Sequence, residues 1–282
     1  MSSNLSENWS TKPFTVIALS NCSLPIFTSG SSSIKISING GALTNVAEGE
    51  NGWVVNGNQI TLNAGDEMAI FMISDGNAGE PSGGDYNAVI QFGDTLGYGP
   101  SSYYGRYNVA GNIMSLLYGE NFTMYNQLDG PYKFAYLFSK CYQLVDASNL
   151  VMPVNTAENC YKSMFNGCTS LTTAPELPAT TLADQCYYSM FNGCTSLTTA
   201  PELPATTLVR SCYASMFYGC SNLNYIKAMF TTDPNLNIGR SKPCASWVYG
   251  VHSVGTFVKN SAATWTLTGV NGIPSGWSVE TV

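Results

Sequence analysis

Charge is what this sequence has least of. Asp, Glu, Lys and Arg make up 10% of its 282 residues, against roughly 25% in an ordinary soluble domain. The wetted surface must therefore be built from Ser, Thr, Asn, Gly and Tyr, which make contacts through hydroxyls, amides and rings rather than ion pairs. The eleven basic residues never form a run of three and the net charge is −7. Phosphate recognition needs clustered Lys and Arg, so nucleic acid is excluded as a partner, and an anionic membrane surface is disfavoured for the same reason. No apolar stretch approaches the roughly 20 residues of a spanning helix, so membrane insertion is not expected. Histidine occurs once, as His252. A Ser-His-Asp or Cys-His catalytic arrangement would have to use it, and no catalytic residue is assigned.

Export signals are equally thin. Phe14 to Leu19 (FTVIAL) is apolar over six residues, with Lys12 alone before it and no small-residue cleavage site after it. Leu19-Ser20-Asn21-Cys22 has the outline of a lipobox with Asn21 where a small residue belongs. The stretch is expected to be the first β-strand. Two routes to an extracellular location stay open: a signal peptide replaced by Met1, or carriage on a virus particle.

What the sequence does have is a period. Residues 160–185 read CYKSMFNGCTSLTTAPELPATTLADQ and residues 186–211 repeat them with four changes. A third unit starts at Cys212 and diverges after CYASMFYGCSNL. A degenerate unit precedes them, with Phe138, Cys141 and Leu144 standing 27 residues before Phe165, Cys168 and Leu171. Near-identity at a fixed period predicts stacked units of a solenoid. Tyr187, Met190, Phe191 and Cys194 lie at one-turn helical spacings closed by Gly193. Leu197 to Ala200 reads as a short Thr-rich strand, and Pro201 and Pro204 stop any helix. The expected repeat core is Phe165, Cys168 and Leu171; Phe191, Cys194 and Leu197; and Phe217, Cys220 and Leu223.

The nine cysteines follow the same period. Cys160, Cys186 and Cys212 step by 26, as do Cys168, Cys194 and Cys220. The C-x7-C spacing is not that of a zinc site. Two columns of buried thiols is the reading the spacing favours; a disulfide within each unit is the alternative, and no metal or other cofactor is expected.

Phe-x-x-Cys-x-x-Leu followed by a short strand and a Pro turn, in tandem CTSLTTAPELPATTL units, resembles the BspA-like leucine-rich repeats of Bacteroidales surface proteins. The flanks Gly111 to Tyr118, Gly255 to Asn260 and Gly272 to Trp277 are similar to those seen with such repeats, so the resemblance covers roughly residues 111–282. It implies adhesion at a cell surface. Similar repeats also resemble parts of phages that infect gut Bacteroidales, which implies a virion component.

The expected fold is α+β, with an all-β sandwich over residues 1–110, a leucine-rich-repeat solenoid over 111–251 and a C-terminal cap over 252–282 plugged by Trp265 and Trp277. Ile34, Ile36 and Ile38 alternate with polar residues before Gly40-Gly41, and Met68 to Ile73 is a further strand. Asp75 to Glu80 with Asp85 resembles the start of a calcium loop, with a solvated hairpin as the other reading. Glu176 and Glu202 hold equivalent positions in adjacent units, so stacking would set them about 5 Å apart, the separation of a retaining glycosidase pair; two exposed acids in duplicated turns is the plainer account. Tyr98, Tyr103, Tyr104, Arg106 and Tyr107 sit among Gly, Ser and Pro, the chemistry of an adaptable binding loop or of a Tyr-rich strand packed against the first unit. The expected function is non-enzymatic display or adhesion, with a glycan or surface protein as partner. The alternatives are a capsid, fibre or decoration component that contacts other virion proteins, with room for a homo-oligomer, and a glycan-active enzyme.

Overall fold

In the computed structural model, residues 8–23, 26–28, 33–49, 52–55, 58–73, 90–92 and 105–282 are described. The strands are β1 (Thr15–Ala18), β2 (Cys22–Ser23), β3 (Ile26–Thr28), β4 (Ser33–Ile38), β5 (Thr44–Gly49), β6 (Gly52–Val55), β7 (Asn58–Gln59), β8 (Thr61–Leu62), β9 (Glu67–Ile73), β10 (Ile90–Phe92), β11 (Tyr107–Asn112), β12 (Leu144–Val151), β13 (Tyr225–Ala228), β14 (Thr256–Lys259) and β15 (Ser278–Thr281). Among the described residues the one α-helix is α1 (Ser115–Tyr118), four residues long.

The α+β expectation is therefore corrected: the described structure is mostly β with one short helix, and the leucine-rich solenoid is not found among the described residues. In place of two facing sheets, eight strands join in one sheet of order β12-β11-β1-β9-β4-β5-β6-β7, beside the two-stranded pairs β10-β3 and β2-β8. Its core face alternates as the sequence suggested at Ile34 and Ile36, buried with Lys35 half-exposed between them, but the alternation ends there, with Ser37 buried and Ile38 exposed. Asn39 and Gly40, both at positive φ, turn β4 into β5. The β11 edge of this sheet is taken by the degenerate repeat unit. Strand β12 pairs parallel to β11, Tyr107 opposite Leu144 and Gly111 opposite Leu150. The buried Ser115 Oγ donates to the Ile70 carbonyl and accepts from the Phe14 amide, tying α1 to the same sheet.

The repeat segments expected to be helical are successive tight turns. Alternate amides close i−3 turns within a unit, as Cys160 to the Ala157 carbonyl and Lys162 to that of Asn159. The amides between them donate to the next unit: Tyr161 to the Cys186 carbonyl, Ser163 to Tyr188, Phe165 to Met190. In an α-helix every such donor would be satisfied within its own segment. Here half are exported to a neighbour, so the turns bond into a ladder. The left-handed positions enforce this: Gln185, Ser189 and Gly193 have φ of 55°, 54° and 74°, and Asn159, Ser163 and Gly167 match them one rung earlier. A left-handed residue at every fourth position cannot belong to a right-handed helix. Tyr187, Met190, Phe191 and Cys194 still face inward, because a four-residue turn and a 3.6-residue helix bring nearly the same positions to one side.

Buried columns run along the rungs. Phe138, Phe165, Phe191 and Phe217 stack at 5.2, 5.3 and 5.8 Å between ring centroids. Phe134, Tyr161, Tyr187 and Tyr213 form a second column at 6.2, 5.5 and 5.9 Å. Trp247 and Trp265 close the far end, their indole N–H groups donating to the carbonyls of Gly272 and Phe230. The parallel sheet β13-β14-β15 ends that side.

Candidate functional site

All nine residues named as repeat core are 0% exposed. The thiols of Cys168, Cys194 and Cys220 donate to the carbonyls of Phe138, Phe165 and Phe191, one rung back, at 3.0, 3.2 and 3.0 Å. That contact accounts for Cys rather than Ala at these positions. All nine cysteines are free and buried. Burial pushes the thiols of Cys141, Cys160, Cys212 and Cys220 up to about 12, and raises those of Cys168, Cys186, Cys194 and Cys244 well above the ordinary thiol value. Thiols held neutral in this way are poor nucleophiles and poor metal ligands. Among the described residues no group of three or more His, Cys, Asp or Glu could hold a metal ion.

The tyrosine-rich segment divides. Tyr98, Tyr103, Tyr104 and the Asp75–Asp85 loop lie outside the described residues. Arg106 is exposed, its amide bonded to Ser20 Oγ and its carbonyl accepting from Leu19. Tyr107 is 4% exposed in the middle of the sheet, and its hydroxyl bonds the Cys141 thiol while burial drives its acidity down. It is a core residue that closes the contact between the N-terminal sheet and the first unit. His252 is exposed; its Nδ1 pairs with the Val254 backbone and its carbonyl accepts from the Trp277 indole.

The concave feature lies elsewhere, on the face opposite the turns. A trough of about 720 Å³ is lined by Asn8, Trp9, Ser10, the second half of β12 from Ser148 to Val151, then Met152, Val154, Glu176 and Pro178. It is built from the edge inward. A 3-10 turn, Trp9–Thr11, is capped by the Asn8 side chain accepting from the Ser10 amide. Asn112 Nδ2 donates to the Ser10 carbonyl and holds this turn against β11. The half-buried Trp9 ring has the Lys12 ammonium 4.8 Å from its centroid. Leu150 and Met152 supply a buried apolar floor, while Ser148 and Asn149 are exposed beside it.

Comparison with protein families, curated proteins and solved structures finds no match to this chain. The site must therefore be argued from its own chemistry.

A second hollow of about 410 Å³ continues the first, lined by Ala174 to Pro178 with Pro201, Glu202 and Pro204. The two share Glu176 and Pro178, so they meet at that wall between successive rungs. Glu176 and Glu202, the acids matched by the repeat, both line it. They are not equivalent in charge, because the Lys227 ammonium lies 2.9 Å from Glu202 Oε2, whereas Glu176 has no ion pair among the described residues. A second ladder, on the turn side, has Arg210 bridging Asp184 and Glu158 at 2.9 and 3.4 Å. Sequence reasoning missed Trp9 and Asn149, which belong to no motif; the repeat signal could have found the Pro-Glu-Leu-Pro wall.

Proposed function

We propose that this chain is a non-enzymatic display or adhesion protein that holds a glycan in the groove between Trp9 and Glu202. One observation carries the reading: an indole, the side-chain amides of Asn8 and Asn149, the Ser148 hydroxyl and a carboxylate line a single groove with an apolar floor. A sugar ring offers an apolar C–H face for such a floor and an equatorial rim of hydroxyls for amides and carboxylates. Sites of this kind take orientation and specificity from a few polar groups on an apolar surface. The scarcity of surface charge agrees with an uncharged, hydroxyl-rich ligand. The resemblance of the CTSLTTAPELPATTL units to BspA-like surface proteins supports location on a bacterial surface or on the virion of a phage of such bacteria. Catalysis is disfavoured because Glu202 is already engaged by Lys227 and both acids lie on an open face.

A glycan array followed by titration calorimetry tests the proposal. Trp9→Ala and Glu176→Gln are each expected to weaken binding about tenfold, the loss of one good contact of about 1.4 kcal/mol. Binding that survives both unchanged, or turnover of the glycan, refutes it. A second reading, a component of a larger assembly, is favoured by β15: it is the outer strand of its sheet and its four side chains are all exposed, an edge that can accept another strand. Light scattering on the purified chain separates the two.

A further inference from the structure

We infer that the groove is a length gauge: it binds a linear glycan along the stacking axis, and the number of Pro-Glu-Leu-Pro units sets how many sugar rings it holds. This rests on the glycan reading above and adds direction and chain length to it.

The groove exists where the rungs fail to zip. On this face the degenerate unit bonds to the first full unit, with the Thr172 amide donating to the Val145 carbonyl and that of Ala147 to Thr173. The second full unit bonds to the third, the Ala200 amide to Tyr225 and the Leu203 amide to Lys227. Among the described residues no backbone hydrogen bond joins 172–178 to 198–204. Pro175, Pro178, Pro201 and Pro204 line this hollow, and none of the four can donate a backbone N–H across it.

The third unit has Lys227-Ala228-Met229-Phe230 in place of this motif, without a proline, and its Tyr225–Ala228 forms β13. There the sheet closes, and Lys227 neutralises the last glutamate. The groove thus begins at Trp9, advances by one Glu and two Pro per unit, and stops at Lys227. Rungs are spaced as their rings are, 5.3 Å between Phe165 and Phe191, an advance comparable to one ring of an extended pyranose chain. The two units differ at four positions, none within Thr169–Leu182 or its counterpart, so an added copy adds an identical wall.

The test uses the full chain and two variants, one lacking residues 160–185 and one carrying a second copy of them after Gln185. The units are near-identical, so both junctions recreate native neighbours; a single cooperative melt confirms that each variant folds. The probes are neutral cello-, xylo- and chito-oligosaccharides from disaccharide to octasaccharide, measured by calorimetry. Insertion is expected to tighten the octasaccharide about tenfold, and deletion to weaken it about tenfold, one ring's worth of contacts each. The shortest binding oligomers should hold equally well to all three proteins. An identical length dependence in the three would overturn the gauge while leaving the glycan site standing. Failure of every oligosaccharide to bind the unaltered chain would overturn both.

Discussion

Raising the pH should unfold this protein well before ordinary alkaline chemistry damages it, because its core is threaded with thiols that burial keeps neutral. An unfolded thiol titrates at about 9.0, and Cys141, Cys160, Cys212 and Cys220 are held up to about 12 when folded. Between those values the folded chain binds protons that the unfolded chain has released, so the stability these groups contribute is complete below about pH 9 and falls as the pH rises toward 12. At about pH 10 each such thiol has lost about 1.4 kcal/mol. Burial also raises Cys168, Cys186, Cys194 and Cys244, which act in the same direction. The first four alone remove about 6 kcal/mol, within the whole stability of a typical domain at about 5–15 kcal/mol. Denaturant unfolding followed by tryptophan fluorescence at stepped pH measures this directly. The midpoint should fall steeply between about pH 9 and 10, and Cys220→Ala should flatten the slope. A midpoint that stays level to about pH 11 would refute the thiol ladder as the cause.

Three further outcomes follow from the same packing. Phe191→Ala empties a column position between Phe165 and Phe217 and should cost about 3–5 kcal/mol in chemical denaturation. Gly193→Ala should cost about 1–2 kcal/mol: its φ is 74°, while the added carbon would meet only Gly167 at an ordinary 3.7 Å, so the loss measures backbone strain alone. Lys259, buried with its ammonium donating to the carbonyls of Ala263 and Trp265, is the tie of the C-terminal segment. Lys259→Met should lower the melting temperature through two orphaned carbonyls at about 1–3 kcal/mol each, with Trp265 fluorescence shifting to match.

The inward-facing residues of the repeat were legible in the sequence because periodicity reports which side chains share a face. Phe191, Cys194 and Leu197 had to be buried whichever backbone carried them. The backbone was not legible for the same reason, since a 3.6-residue helix and a four-residue turn sort Tyr187, Met190, Phe191 and Cys194 alike. The discriminating signal was the residue at every fourth position, and Gln185 and Ser189 are poor flags for a left-handed conformation, so only Gly193 stood out. The alternating isoleucines placed β4, yet nothing local announces that β11 would take β12 as its partner.

The groove shows the same division. Composition, the repeat and the pairing of Glu176 with Glu202 are properties of the chain itself, since duplication and side-chain chemistry need no folding to exist. Bringing Trp9 beside Asn149 and Glu176, and burying Tyr107 instead of displaying it, depended on long-range pairing of β11 with β12. The β11–β12 partners stand 37 to 39 positions apart and Trp9 and Asn149 stand 140 apart, and no local pattern encodes such contacts. The sequence by itself determined what stacks and which acids recur; only the tertiary structure decided that alternate amides bond across units, that prolines hold one seam open, and that Lys227 ends it.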